Sequence, residues 1–330
     1  MADIAAAQTS PARTRWLGWI GPELAVVAAG LAAALLFPDD LGFITRINIL
    51  GIFTLSLALV IGQAGIGTLG QAAMFGAGSY SAALWALHVS AEPLSGLLIG
   101  ALAGAGVAAA SGLLLLRTRG LTLIMLSVAF AQVLLEIANK AASVTGGDDG
   151  LADIPVRAIL GLFAFDFRGR VGFGYTLVML VIVYFCLRRL VASPFGLTCR
   201  GIKADQLRMR AVGAPVFRHL VVVYTLGGAF AGIAGALSAQ TTQVVGLSSL
   251  GFELSAEGLV MLSIGGVGHL AGALLGVPTF MIIRHVAAAV NPYHWLLVIG
   301  VLLIVTILFL PQGLYGLLHK WRTRLTRGPR

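Results

Sequence analysis

Two short glycine-rich stretches are the first candidates for chemistry in this chain of 330 residues. One runs Gly62-Gln63-Ala64-Gly65-Ile66-Gly67-Thr68-Leu69-Gly70-Gln71, the other Ser263-Ile264-Gly265-Gly266-Val267-Gly268-His269-Leu270. Glycine tolerates unwound backbone, and unwound backbone frees N–H and C=O groups that a helix would keep paired. In an apolar medium such groups persist only when surrounded by protein or facing a wet cavity. Gln63, Gly65, Gly67, Gln71, Gly265, Gly266 and Gly268 are therefore candidates for lining a path taken by a polar solute. Tight turns and close packing use the same residues, and the sequence leaves both readings open. At Gly227, Gly228, Gly232 and Gly235 the small-x-x-x-small spacing favours packing.

Other chemistry is sparse. Glu23 and Glu136 fall within apolar runs, where an ionised group is costly and a functional candidate, yet both are close enough to an end to cap a helix or reach water. His269 and His285 have no partners at metal-ligand spacing. There is no clustered base, nucleophile or metal set of the kind an enzyme needs, and no Gly-x-x-x-x-Gly-Lys-Ser/Thr loop for a nucleotide phosphate. No catalytic, cofactor-binding or metal-binding residue is assigned. Cys186 and Cys199, the only two cysteines, imply no disulfide.

The segment 193–218 concentrates charge. After a Ser-Pro-Phe-Gly turn, the pattern predicts an amphipathic helix from Thr198 to Val212, stopped by Gly213 with Pro215 close behind. Ile202, Leu207 and Met209 supply apolar positions; Arg200, Lys203, Asp205, Arg208 and Arg210 are polar. Such a helix suits docking to a partner, and an ordinary basic loop facing anionic lipid is the alternative.

The elements that position these residues follow from composition. With 58% hydrophobic residues, 11% charged residues and 43 glycines, the medium is lipid. Apolar runs predict spans at 16–37, 47–63, 68–88, 94–116, 121–138, 171–187, 217–240, 252–267, 270–288 and 295–311. The first is read as a retained span rather than a cleaved leader. The span 252–267 is short and carries Glu253 and Glu257, as half of a broken helix would. The formal charge of +9 reflects topology rather than nucleic acid binding. Alternating loops gather Arg13, Arg15, Arg117, Arg119, Arg188, Arg189 and the basic residues of 200–218 and 320–330 on one side. That side is the cytoplasm, with both termini in it. The expected architecture is an all-α polytopic transmembrane bundle of about ten spans with glycine-rich breaks. It divides into an N-terminal tail (1–15), a membrane domain (16–318) and a basic tail (319–330). Loop 139–170 lies outside the cell and loop 193–218 inside.

Ser193-Pro194-Phe195-Gly196, Arg200-x-Ile202-Lys203 and Arg208-x-Arg210-Ala211-x-Gly213 resemble the motif of branched-chain amino acid ABC importer permeases. The stretch from Gly65 to Tyr80, Thr145 to Gly150, Ala231 to Ala236, Gly265-Gly266-x-Gly268 and Pro311-x-Gly313-Leu314 extend the likeness colinearly over residues 45–318. It is nearest to the M-type permease. Gln71 stands where that family commonly has histidine, and Asp205-Gln206 where it has an acidic or amide pair with longer side chains. The resemblance implies a multi-pass subunit of the bacterial inner membrane, in contact with lipid. Its implied partners are a second homologous permease, two cytoplasmic ATPases that bind the ATP, and a periplasmic substrate-binding protein. Arg200, Ile202, Lys203, Asp205, Leu207, Arg208, Arg210 and Gly213 would couple to an ATPase. Branched-chain amino acids are the implied cargo; other neutral amino acids, amides, urea and small aromatic acids stay open. An ion-coupled secondary transporter, the rival class, would need a proton or sodium site at membrane depth, for which ionisable groups are too few.

Overall fold

The computed structural model describes residues 40–158 and 169–290, together with residues 30, 300, 301 and 313–316. The expected spans 16–37 and 295–311, the two tails and Glu23 lie outside the described residues. Helix α1 (Leu41–Leu57) runs on into a π-helical turn, Ala58–Gln63. It is followed by α2 (Gln71–His88), α3 (Pro93–Leu115), α4 (Leu121–Lys140), the short α5 (Ala142–Thr145) and α6 (Arg170–Ala192). Next come α7 (Pro194–Ala204), α8 (Gln206–Ala211), α9 (Val216–Thr242), α10 (Phe252–Gly265) and α11 (Leu270–Val290). The described residues contain no β-strand; one isolated bridge joins Leu151 to Val245.

The described residues fold as an all-α membrane bundle in which six of the eight spans expected there have the dimensions of one. Six are long and apolar enough to cross a bilayer: Leu41–Gln63, Pro93–Leu115, Leu121–Lys140, Arg170–Ala192, Val216–Thr242 and Leu270–Ala289. Helix α2 misses that set because Gln71, Ser79, Tyr80, Ser81 and His88 dilute its apolar residues. Helix α10 has 14 residues, about 21 Å at helical rise against a bilayer core of about 30 Å. It stops at Gly265, at the second glycine-rich stretch.

On helix α3 large side chains face outward and small ones inward. Helix α3 buries Gly96, Gly100, Gly104, Ala108 and Gly112, one per turn, while its Leu98, Leu102, Leu113 and Leu114 are exposed. Helix α9, at the centre, packs chiefly on α3 and α2. A Cβ added to Gly104 would strike the carbonyl of Gly228, one on Gly232 that of Gly100, and one on Gly235 that of Phe75. In lipid no hydrophobic effect draws helices together, so close backbone approach and dispersion hold this seam. The packing reading of Gly227, Gly228, Gly232 and Gly235 agrees with this geometry. A second cluster, around Leu50, Met261, Ile264, Val277 and Phe280, ties α1 to α10 and α11.

Candidate functional site

The two glycine-rich breaks, distant in sequence, meet at one end of the bundle. The π turn of α1 gives way to non-helical chain from Gly65, whose φ of 71° suits glycine. Helix α10 stops at Gly265, followed by Gly266 at φ 111°. A Cβ on Gly62 would strike the carbonyl of Val267, and Gln63 Nε2 donates to Gly268 O at 3.4 Å. Gly313 packs directly on Gly266.

Gln63, Gly265, Gly266 and Gly268 gather at this joint, whereas Gly67 lies beside Ile124 and Gln71 faces Ser56. Gln63, Gly265 and Gly266 are buried, Gly67 is half-buried beside Ile124, and Gly65 and Gly268 are exposed. Gln71 is enclosed and donates through Nε2 to Ser56 Oγ at 3.2 Å. The Oε1 atoms of Gln63 and Gln71 are buried with no hydrogen-bond partner among the described residues. Each such orphan costs about 1–3 kcal/mol unless a group from outside the described residues meets it.

The charged segment packs against the same joint, and its structure differs from the single helix expected over Thr198–Val212. The helix starts earlier, at Pro194: Ser193 Oγ accepts from Gly196 N at 3.4 Å and proline fills the first helical position, both signals of a helix start. It breaks at Asp205, whose extended backbone (φ −158°, ψ 106°) and Oδ1, accepting from Leu207 N at 2.9 Å and Arg208 N at 3.1 Å, make it the N-cap of α8. Gly213, at φ 87°, follows the end of α8.

The eight candidate coupling residues consequently have different surroundings. Ile202 is 1% exposed and belongs to this chain's own core, whereas Leu207 is 72% exposed. Lys203 Nζ donates to Gly62 O at 2.6 Å, fastening α7 to the end of α1. Asp205 is occupied by capping and by Arg208 Nε at 3.1 Å. Arg200, Arg208, Arg210 and Gly213 are exposed, together with Leu197 and Val212. Those last two were not among the expected contacts; their signal was apolar character next to a helix boundary.

Burial pushes the Cys199 thiol on α7 up to about 11. At pH 8 roughly one such thiol in a thousand is ionised, and the thiolate is the reactive form. Cys199 is expected to resist maleimide at pH 8 in the folded protein and to react after denaturation, as mass spectrometry of the labelled chain would report.

At the opposite end a cavity of about 860 Å³ opens among α1, α2, α9, α10 and α11. Arg284 Nη1 approaches both Glu257 carboxylate oxygens at 2.8 Å. Arg46 and Glu253 also line the cavity, close enough to this pair to interact electrostatically with it. On its wall, Gln240 is held by Pro93 O at 2.8 Å and by the Tyr175 hydroxyl at 3.0 Å. Paired backbone bonds of 2.8 Å between Leu151 and Val245 bring the segment after α5 against the 243–249 stretch that lines it. In the sequence Arg46 and Arg284 count only as basic residues near outer helix ends, and Glu253 and Glu257 only as marks of a short, broken span. Glu136 pairs with Lys140 at 3.8 Å on an exposed face. The His285 and His269 rings lie tilted against Phe43 and Tyr315, with centroids 5.2 Å and 4.6 Å apart.

These features define a helical membrane protein with a broken-helix joint at one end and a charged cavity at the other. Residues 41–307 match the family model for the permease component of the branched-chain amino acid transport system. The chain belongs to that family. It is 28% identical to the high-affinity branched-chain amino acid transport system permease protein LivM of Salmonella typhimurium, over 83% of this chain and 69% of that protein. The Escherichia coli LivM protein matches with the same identity and coverage. The probable branched-chain amino acid transport permease LivM of Methanocaldococcus jannaschii is 25% identical over 59% of each chain. No solved structure matches. The M-type likeness read from the motifs agrees with these relatives.

Proposed function

We propose that this chain is the M-type transmembrane subunit of an ATP-binding-cassette importer that carries branched-chain amino acids across the bacterial inner membrane. It pairs with a homologous permease, receives cargo from a periplasmic binding protein and is driven by two cytoplasmic ATPases. The ATPases bind the ATP, and this chain supplies no catalytic step or cofactor. The observation that supports this reading most directly is the attachment of the coupling segment to the joint through Lys203 and Gly62. Movement imposed on α7 from outside reaches the end of α1 through Lys203, and the close approach of Gly62 to the Val267 carbonyl passes it on towards α10. The joint then faces the cytoplasm and the charged cavity the periplasm, with both chain ends cytoplasmic. Cysteines introduced by Asp148→Cys and Arg330→Cys are expected to label from opposite sides.

Reconstitution of all subunits in liposomes tests the transport reading. Leucine uptake is expected to require ATP and binding protein, and to be indifferent to proton or sodium gradients. Gradient-driven uptake without the ATPases would establish the secondary-transporter alternative instead. Lys203→Met, which keeps the apolar stem but removes the donor to Gly62 O, is expected to leave the ATPases bound while leucine moved per ATP falls several-fold. An unchanged ratio would leave that hydrogen bond a static fastening.

A further inference from the structure

The geometry points to the charged cavity as a binding site for a zwitterionic amino acid, with Arg46 receiving the α-carboxylate and Glu253 the α-ammonium. This rests on the transport reading above and assigns it a site in this chain, distinct from the glycine joint. The cavity, at about 860 Å³, is of ligand size. It holds two arginines and two glutamates. Glu257 and Arg284 satisfy each other through the paired 2.8 Å contacts, so that pair is closed. Arg46 and Glu253 are exposed and form no salt bridge to another described residue. They come from different helices, α1 and α10, which leaves one positive and one negative group facing a common space.

Charge complementarity narrows the ligand. A simple anion would be attracted by Arg46 and repelled by Glu253, and a simple cation the reverse; a zwitterion pairs with both and leaves no added charge behind. The Glu257–Arg284 pair contributes no net charge but occupies the second guanidinium, so the ligand carboxylate has a single preferred partner. Apolar wall is supplied by Ile49, Leu50, Phe75 and Leu254. That combination suits an amino acid with an aliphatic side chain.

The test uses the solubilised assembly of both permeases and both ATPases, without binding protein. Ser248, exposed on the cavity wall, is changed by Ser248→Cys in a Cys186→Ser background. The maleimide labelling rate is then followed against ligand concentration. L-leucine is expected to slow labelling, whereas its decarboxylated amine, isoamylamine, and its deaminated acid, isocaproate, are not. Arg46→Gln and Glu253→Gln should each raise the protecting leucine concentration about tenfold or more, with Arg46→Lys recovering part of the loss. Equal protection by isocaproate would overturn the zwitterion assignment, as would unchanged protection in both variants. Failure of leucine to protect an assembly that still imports leucine in liposomes would overturn the site while leaving the transport function standing. Absence of import itself would strike at the function.

Discussion

Gly232→Leu is expected to abolish recovery of folded protein, whereas Gly106→Leu, on helix α3 of the same bundle, is tolerated. A side chain at 232 meets the Gly100 carbonyl with Gly104 Cα 3.1 Å away. These are backbone atoms that cannot turn aside, so α3 and α9 must separate. Overpacking a core with side chains able to rearrange already costs about 1–3 kcal/mol, and a backbone collision costs more. Against a total stability of about 5–15 kcal/mol, that is enough to unfold much of the population. At Gly106 a Cβ meets nothing within 4 Å. Size-exclusion profiles and melting temperatures of the two variants make the comparison, and a Gly232→Leu protein melting with the parent would show the seam to be compliant.

Leu207→Asp is expected to sever the permease from its ATPases without disturbing the fold. The side chain is 72% exposed, so a polar replacement has nothing internal to disrupt. Burying a leucine in an interface contributes up to about 3 kcal/mol, roughly a hundredfold in affinity. A carboxylate in its place adds a desolvation cost. ATPase co-purification and binding-protein-stimulated hydrolysis should both be lost, while Arg208→Ala, at the exposed rim, changes them little. Ile202→Asp should behave differently. Its target is 1% exposed, so the variant loses α7 docking and thermal stability before any question of partner contact arises. Retained co-purification with Leu207→Asp would remove this surface from the ATPase interface.

Span positions were largely legible in the sequence because length and hydropathy are local properties. The run read at 94–116 is the helix Pro93–Leu115, and that read at 217–240 is Val216–Thr242. Which face of a helix turns inward was not legible. On α3, exposed Leu98 and buried Gly100 are both apolar, and polarity, the usual guide, does not separate them. Size does, and the one-per-turn recurrence of small residues is the pattern to read. The coupling segment was misread at Ser193-Pro194 and Asp205, because capping residues also occur in turns and on polar helix faces. The cavity was invisible for another reason. Arg46, Glu253 and Arg284 reside on α1, α10 and α11, and nothing in local spacing announces that three helices will bring them together. The convergence of the glycine breaks is equally non-local.

The π turn at the end of α1 has a mechanical consequence. A π turn winds its backbone with i→i+5 bonds and so holds a surplus residue relative to an α-helix, and Ala64 N bonding to Leu59 O at 3.3 Å is one of them. Removing that surplus by rewinding to α geometry turns the chain beyond it by about 100° and shifts it by about 1.5 Å. Gly62, whose carbonyl Lys203 holds at 2.6 Å, lies inside the turn. Helix α1 therefore carries slack at the point where it is gripped, and a pull delivered through α7 can be absorbed as torsion of Gln63 and the following loop, leaving the far end of α1, with Arg46, at rest.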